Sequence, residues 1–156
     1  MNITTKFEET QPFSSNSIIW IVFSIVLGVV LFRLYQQYPQ VHPPLFIPLC
    51  ILLLTFVWLF LLKLVTTIDE SGIHFYFTHL PFAYNHFKWE EVKLVQVITY
   101  NPWLTGFGLR HFSAWGTVYN VKGKQGLQII LNSGKTYLLG TQRPEELQAT
   151  LKELRK

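Results

Sequence analysis

The chain has 156 residues, of which 49% are hydrophobic and only 14% are charged. Charged residues make up about 25% of a typical soluble domain, so this composition excludes an ordinary water-soluble globular protein and indicates membrane segments. The formal net charge at pH 7 is +4, and the single cysteine, Cys50, excludes an intramolecular disulfide.

Two long apolar runs dominate the N-terminal part of the chain. The first extends from Ile18 to Tyr35 and carries one charge, Arg33, near its end, where a long side chain reaches the lipid headgroups. The second extends from Leu45 to Leu62 without a charge. Each run approaches the roughly 20 residues that cross about 30 Å of hydrocarbon. The pattern therefore predicts a two-helix transmembrane hairpin over residues 17–65, with a proline-rich turn at 36–44.

The predicted N-terminal tail, residues 1–16, bears on an alternative interpretation of the first run as a secretory signal peptide. The tail holds one lysine and two glutamates, whereas a signal peptide begins with a basic region. The apolar run is also longer than the usual stretch of about 7–15 residues. We favour a membrane anchor, and the signal peptide stays the alternative.

Basic residues predict the orientation of the hairpin. Lys6 and Arg33 precede the second apolar run, which leaves 11 of the 13 Lys and Arg residues from Lys63 onward. Glu8 and Glu9 likewise leave seven of the nine acidic residues, so the C-terminal part has a net charge of +4. Because basic segments remain in the cytoplasm, we expect both termini and the C-terminal domain there.

From residue 66 onward, apolar and polar residues alternate, which predicts β-strands. Ile73, Phe75 and Phe77 alternate with polar residues after the turn DESG, and the Asn132-Ser133-Gly134 turn separates the two strands of the clearest hairpin. The predicted strands are, in chain order, LVTTID, GIHFYFTH, VKLVQVITY, LRHFSAWGTVYNV (one strand or a pair), GLQIILN and KTYLLGT.

A helix is predicted at the C-terminus. Thr141 is a suitable N-cap, and Pro144 falls in the first turn, where proline is tolerated. Leu147, Leu151 and Leu154 have helical spacing and form one apolar stripe. This stripe must cover an apolar surface, either the open end of a barrel or the face of a bent sheet.

These elements together resemble the bacterial pleckstrin-homology (PH-like) domain family, which follows transmembrane helix pairs in small bacterial membrane proteins. The resemblance covers roughly residues 64–154 and rests on five motifs: TTIDESGIHF, FKWEEVKLVQV, the loop ending GFGLR, GKQGLQIIL with SGKTYLLGT, and TQRPEELQATL. It implies an α+β membrane protein with an antiparallel PH-like β-barrel of six or seven strands over 66–156 and a C-terminal capping helix, in a bacterial cytoplasmic membrane. It implies no particular ligand or activity.

The loop NPWLTGFGLR, residues 101–110, has the composition of a segment that touches a membrane interface. The hypothesis is that it dips into the cytoplasmic leaflet while nearby basic side chains contact anionic lipid phosphates. The alternative, which we favour slightly, is that its aromatic residues fold back over the barrel mouth, because small domains need apolar residues for the core. The candidate lipid-contact residues are Trp103, Leu104, Phe107, Arg110, Lys122 and Lys124.

Nucleotide motifs do not fit the glycine-containing loops. Gly106-Phe107-Gly108 lacks the third glycine of a dinucleotide motif, and Gly134-Lys135-Thr136 would need an earlier glycine where Ile129 stands. We therefore expect no nucleotide, and no other cofactor.

Catalytic and metal-binding residues are scattered along the chain. The histidines form no metal-ligand spacing, although His74, His79 and His86 would converge if a hairpin brought them together; exposed strand histidines are the interpretation we favour. Asp69, the one aspartate, lies in a turn signal, and Glu90-Glu91 leads into a strand. We expect no enzymatic activity, no catalytic residues and no metal site.

The two apolar runs are expected to be anchors, because they offer only Ser24, Thr55 and Cys50 as polar groups deep in the membrane. The sequence thus predicts a non-catalytic membrane protein that presents a cytoplasmic PH-like domain at the bilayer surface for a protein partner or for self-association. The alternative function is a module that reads anionic lipid headgroups through a basic rim. The expected partners are membrane lipids and a protein or second copy, and not nucleic acid.

Overall fold

A computed structural model describes residues 6–37, 46–80, 84–102, 108–113 and 115–154. The chain divides into two compact units. A helical unit comprises residues 12–62, and a β unit comprises residues 1–11 and 63–156.

The helical unit contains a 3-10 turn, Phe13–Ser15, and two helices, α1 over Ser17–Gln37 and α2 over Phe46–Leu61. Within α1, the 20 residues Ser17–Gln36 are long and apolar enough to cross a membrane, and none of its most apolar window is buried. At a rise of about 1.5 Å per residue, this segment extends about 30 Å, the thickness of the hydrocarbon core. A signal sequence near the N-terminus would pass the same test of length and hydropathy.

The prediction of two membrane spans is corrected by the described residues, which contain one helix of sufficient length. The second apolar run forms α2, a helix of 16 residues. A helix of that length extends about 24 Å, which is shorter than the hydrocarbon core. The predicted turn at 36–44 lies mostly outside the described residues.

Aromatic side chains join α1 to α2. The ring of Trp20 meets the rings of Phe56 and Phe60 edge to face, at centroid distances of 4.9 and 5.7 Å. Phe23 stacks on Phe56 at 3.8 Å. The indole Nε1 of Trp20 donates a hydrogen bond of 2.6 Å to the carbonyl oxygen of Ser14 in the 3-10 turn. These contacts leave the remaining apolar faces of both helices exposed.

The β unit begins with sheet 1, whose strand order is β1-β2-β3-β4. Its strands are β1 Phe7–Pro12, β2 Lys63–Ile68, β3 Gly72–Phe77 and β4 Asn85–Lys88. Alternation in β2 and β3 buries every second side chain, as the sequence predicts. Strand β1 lies within the segment predicted to be a tail, and it pairs beside β2, where the Lys6 amide donates to the Ile68 carbonyl at 3.1 Å.

Sheet 2 follows and has the strand order β5-β8-β9-β7-β6. Its strands are β5 Val92–Thr99, β6 Gly108–Ser113, β7 Gly116–Asn120, β8 Gln125–Leu131 and β9 Thr136–Thr141. The segment predicted as one strand or a pair is the β6–β7 pair, and the β8–β9 hairpin is confirmed. One pairing differs from the all-antiparallel prediction, since β7 and β9 run parallel.

The predicted closed barrel is also corrected, because the described strands form two separate sheets. Aromatic rings fill the space between them. Phe75 of sheet 1 meets Tyr119 of sheet 2 edge to face at 4.8 Å, and Phe87 meets Tyr137 at 4.7 Å. The side-chain amide of Asn85 donates a 2.8 Å hydrogen bond to the Tyr119 hydroxyl. The core of the β unit is therefore a two-layer packing of sheets.

Helix α3, Pro144–Leu154, ends the described chain. Its apolar stripe is buried at Leu147 and Leu151, as the spacing predicts. The predicted N-cap at Thr141 is corrected: the Leu147 amide bonds to the Arg143 carbonyl at 3.0 Å, which places the N-cap at Arg143. The hydroxyl of Thr141 accepts a 3.1 Å hydrogen bond from the Arg143 amide in the turn before the helix. The predicted proline position in the first turn and the buried stripe at Leu147 and Leu151 are confirmed, whereas Leu154 is only half-buried.

Side chains of β1 cross to the β9–α3 junction. The carboxylate of Glu9, which is only 5% exposed, accepts a 2.6 Å hydrogen bond from the Thr141 hydroxyl and a 2.7 Å bond from the Gln142 amide. The amide of Gln11 donates to the Gly140 carbonyl at 2.7 Å. These bonds attach the N-terminal strand to the C-terminal end of the β unit, although about 130 residues separate them in sequence.

Candidate functional site

The β2–β3 turn holds the densest group of reactive side chains among the described residues. Asp69 Oδ1 accepts hydrogen bonds from the Ser71 amide at 2.7 Å, the Ser71 hydroxyl at 2.5 Å and the Gly72 amide at 3.1 Å. The Trp89 indole donates to the Asp69 carbonyl oxygen at 2.9 Å. The aspartate therefore closes the turn, which is the role that the DESG turn signal predicts.

Two histidines lie on the strands that leave this turn. His74 of β3 pairs directly with His86 of β4, and their rings stack with centroids 4.0 Å apart and planes 8° from parallel. Gly72 permits this pairing, because a Cβ at that position would lie 2.1 Å from the Phe87 carbonyl oxygen. The alternative considered from the sequence, a convergence of histidines across a hairpin, is therefore found for His74 and His86, and His86 is also an exposed strand histidine. His79 lies beyond the other end of β3, in a left-handed conformation with φ 61°.

Charges in the cluster affect each other. Burial opposes ionisation of Asp69, but hydrogen bonds from Ser71, the nearby His74 and the Gly72 amide together hold the pKa of Asp69 below its ordinary value. Burial and the adjacent His86 lower the pKa of His74, and the attraction of Asp69 offsets part of that effect. The neutral form of His74 is therefore favoured at neutral pH.

A serine, a histidine and an aspartate together invite comparison with a hydrolytic triad. In a triad, one imidazole nitrogen accepts the serine proton while the other nitrogen donates to the carboxylate. Here the Ser71 hydroxyl lies 3.1 Å from His74 Nε2, and Asp69 Oδ2 lies 3.6 Å from the same nitrogen. The Ser71 hydroxyl also bonds Asp69 directly. This arrangement is that of a turn and cannot relay a proton from serine through histidine to aspartate.

The predicted lipid-contact residues divide into two groups. Trp103, Leu104 and Phe107 lie outside the described residues. The three basic candidates are exposed on sheet 2: Arg110 in β6, and Lys122 and Lys124 in the β7–β8 turn.

The basic candidates do not form one cluster. Gly108 of β6 pairs with Asn120 of β7, so Arg110 lies about four residues along the strands from the level of Lys122. At about 3.3 Å per residue, that separation is roughly 13 Å. Lys122 and Lys124, by contrast, share one turn. The structure therefore brings the two lysines together and leaves Arg110 apart from them.

The backbone of Lys124 also bonds to the residue that precedes the 101–107 segment. Its carbonyl oxygen accepts a 2.8 Å hydrogen bond from the amide of Tyr100, the last residue before that segment. Tyr100 is 4% exposed, and burial raises the pKa of its phenol. The carbonyl of Lys122 accepts a hydrogen bond from the side chain of Gln142. Sequence reasoning does not reveal these attachments, because they join residues distant along the chain.

Other motifs considered in the sequence lie in ordinary turns. Gly134 and Lys135 belong to the exposed β8–β9 turn, which leads into a strand rather than a helix. Glu90 and Glu91 form a short 3-10 turn before β5, where Glu91 Oε2 accepts a 3.0 Å hydrogen bond from the Lys88 amide. Within the described residues, no three His, Cys, Asp or Glu side chains are placed to hold a metal ion.

Comparison of the chain with protein-family models, with curated proteins and with solved structures gives no match. The resemblance to the bacterial PH-like family therefore stays a prediction from the sequence motifs. The fold that is shown is α+β, with an apolar N-terminal helix, two sheets and a C-terminal helix.

Proposed function

We propose that this chain is a non-catalytic membrane protein whose β unit is a PH-like domain that binds a protein partner or a second copy at the bilayer surface. The observation that carries the proposal is α1, which contains an apolar span of 20 residues whose most apolar window has no buried residue. Such a surface is stable in lipid and costly in water. The proposal further takes the second apolar run as the return segment of the hairpin, although α2 alone is shorter than the hydrocarbon core.

The hydrogen bonds within the Asp69 cluster support a non-catalytic role. Ser71 and Asp69 both approach the same nitrogen of His74, and Asp69 is engaged by the amides of its own turn. These groups stabilise a hairpin and do not activate a nucleophile.

The anchor and its orientation are tested by cysteine labelling. Cys50→Ser gives a cysteine-free chain, into which Ser133→Cys places a thiol in the exposed β8–β9 turn and Gln40→Cys places one between the two apolar runs. In sealed right-side-out vesicles, an impermeant maleimide should label position 40 and reach position 133 only after lysis. Labelling of position 133 in sealed vesicles would contradict the cytoplasmic location, and release of the chain by alkaline carbonate would contradict the anchor.

Self-association is tested by co-purification of two differently tagged copies of the full chain from mixed membranes. A contact through apolar surfaces should persist at high salt, because salt screens charges over about 8 Å at physiological ionic strength and leaves apolar burial intact. Failure to co-purify, together with the absence of crosslinked products in native membranes, would exclude the interaction role.

The second candidate function is headgroup recognition, which the exposure of Lys122 and Lys124 in one turn favours. The full chain is placed in neutral and in anionic bilayers, and lysine acetylation rates are compared at low and high salt. Protection of both lysines only in anionic bilayers at low salt would support this function. Lys135, exposed in the β8–β9 turn, is the internal control. Equal acetylation rates of Lys122 and Lys124 in all bilayers would exclude headgroup recognition.

A further inference from the structure

Strand β4 is the short edge strand of sheet 1. It has four residues, Asn85–Lys88, and within the described residues β3 is its one neighbour in the sheet. Its inward side chains, Asn85 and Phe87, contact Tyr119 and Tyr137 of sheet 2. Because a short edge strand has few backbone bonds, the outward side chains that it shares with β3 contribute a large part of its attachment.

The outward side chains form two ring pairs. His74 faces His86 with ring centroids 4.0 Å apart, and Tyr76 lies beside Tyr84 at 5.9 Å. Neutral imidazoles stack favourably at this distance. Two imidazolium ions would repel each other, since like charges within about 4–6 Å disfavour the charged form. The histidine pair can therefore hold β4 against β3 only while at most one ring is charged.

The charged groups around the histidine pair stabilise one protonated ring but not two. Asp69 Oδ2 lies 3.6 Å from His74 Nε2, so it stabilises a single charge on His74. From β2, the uncharged Thr67 pairs with His74. The Glu70 carboxylate is 3.8 Å from the Lys6 amine and is engaged with it. Among the described residues, other charged groups near this end of the sheet are Lys88, which is exposed at the end of β4, and Glu90 and Glu91 of the following 3-10 turn. Glu91 accepts a hydrogen bond from the Lys88 amide.

We propose that the stacked His74–His86 pair is a pH-sensitive latch, which fastens edge strand β4 to β3 at neutral pH and releases it in acid, where both rings would be charged. The proposal concerns the β unit alone and does not depend on the proposed membrane function.

The electrostatics of His74 support the direction of this switch. Burial and the adjacent His86 lower the pKa of His74 from its ordinary value of 6.5. A histidine with a lower pKa in the folded state stabilises that state above 6.5, and this stabilisation is lost as the pH falls through and below 6.5, because the open form binds more protons. Acid should therefore loosen β4 before it affects strands without such a pair.

Hydrogen exchange measured by mass spectrometry on the full chain in detergent micelles tests the latch. After correction for intrinsic exchange rates, we expect protection of the β4 amides, Asn85–Lys88, to fall about tenfold more than that of β8, Gln125–Leu131, between about pH 7.5 and about pH 5. Parallel loss in both strands, or full protection of β4 at the acidic pH, would overturn the proposal.

Two variants test whether protonation of the histidine pair causes the extra loss of β4 protection. His86→Phe keeps a ring on β4 but cannot be protonated, so the extra loss of β4 protection should disappear. His111→Phe, at an exposed position of β6, should behave as the unmodified chain. Persistence of the extra loss in His86→Phe would overturn the latch. If His86→Phe fails to fold, ring-proton NMR of the unmodified chain replaces it: two separated titration steps for the coupled pair support the latch, and one shared step contradicts it.

Discussion

The carboxylate of Glu9 offers a stringent test of how the β unit is held together. This side chain is buried in β1 and accepts hydrogen bonds from the Thr141 hydroxyl and the Gln142 amide. Glu9→Gln has nearly the same volume and replaces one acceptor oxygen with a donor. The Gln142 amide can still bond to the remaining oxygen, but the Thr141 hydroxyl must turn and accept a bond from the new side-chain amide. Both bonds become neutral, and the combined loss is comparable with the loss of one bond to a charged group.

The expected magnitude follows from these two bonds. A hydrogen bond to a charged group contributes about 1.5–3 kcal/mol, so Glu9→Gln should cost about that amount. Glu9→Ala removes both bonds and should cost about 3–5 kcal/mol, within the range for breaking a buried charged interaction. In a domain of about 100 residues, each kcal/mol lowers the Tm by about 4–8 °C.

Thermal unfolding of the full chain in detergent, followed by near-UV circular dichroism, measures the effect. Glu8→Gln is the matched control, because the Glu8 side chain is exposed and its contact with Arg143 uses the backbone carbonyl. The control should change stability by less than about 0.5 kcal/mol. An equal Tm for Glu9→Gln and Glu8→Gln would refute the reasoning that β1 is fastened through this carboxylate.

Three further predictions use the same unfolding assay. In Gly140→Ala, the new Cβ would lie 2.5 Å from Asn120 Oδ1, and this overpacking should lower the free energy of unfolding by about 1–3 kcal/mol. Gly134 has open space around it but a φ of +83°, so Gly134→Ala should lower the free energy of unfolding by about 1–2 kcal/mol through backbone strain alone. Tyr100→Phe should retain full stability, because the buried Tyr100 hydroxyl has no hydrogen-bond partner among the described residues, and a loss above about 1 kcal/mol would contradict this. In the unmodified chain, stability should fall as the pH drops below 3.8, the ordinary pKa of an aspartate, because a carboxyl whose pKa is lowered by folding stabilises the protein only while it is ionised. In Asp69→Asn, this fall in stability with pH should be smaller.

Local patterns in the sequence predict local elements well. Alternation of Ile73, Phe75 and Phe77 identifies β3, and the Asn132-Ser133-Gly134 turn identifies the β8–β9 hairpin. These signals succeed because a hairpin and its turn are fixed by residues close together in sequence. The apolar stripe of α3 is found for the same reason, since neighbouring turns of one helix determine it.

Strand β1 shows why other parts of the fold escape prediction. Its inward residues include Glu9 and Gln11, which are polar and so carry no apolar alternation. Their partners, Thr141 and Gly140, lie at the other end of the chain. A strand whose buried face is polar can be recognised only when the hydrogen-bond partners of that face, which are distant in sequence, are known. The parallel pairing of β7 with β9 is hidden likewise, because β8 intervenes in sequence.

The interior of the β unit restricts where recognition can occur. The inner faces of both sheets are occupied by rings such as Phe75 and Tyr119, which contact each other and are closed to a ligand. Among the described residues, the outer face of sheet 1 instead presents Tyr84, which is 58% exposed, beside the histidine pair. A partner that binds this face would contact β4, so its affinity should depend on pH if the latch operates. A partner that binds at Lys122 and Lys124 would respond to salt instead, and the two responses distinguish the surfaces whatever the chemical identity of the partner.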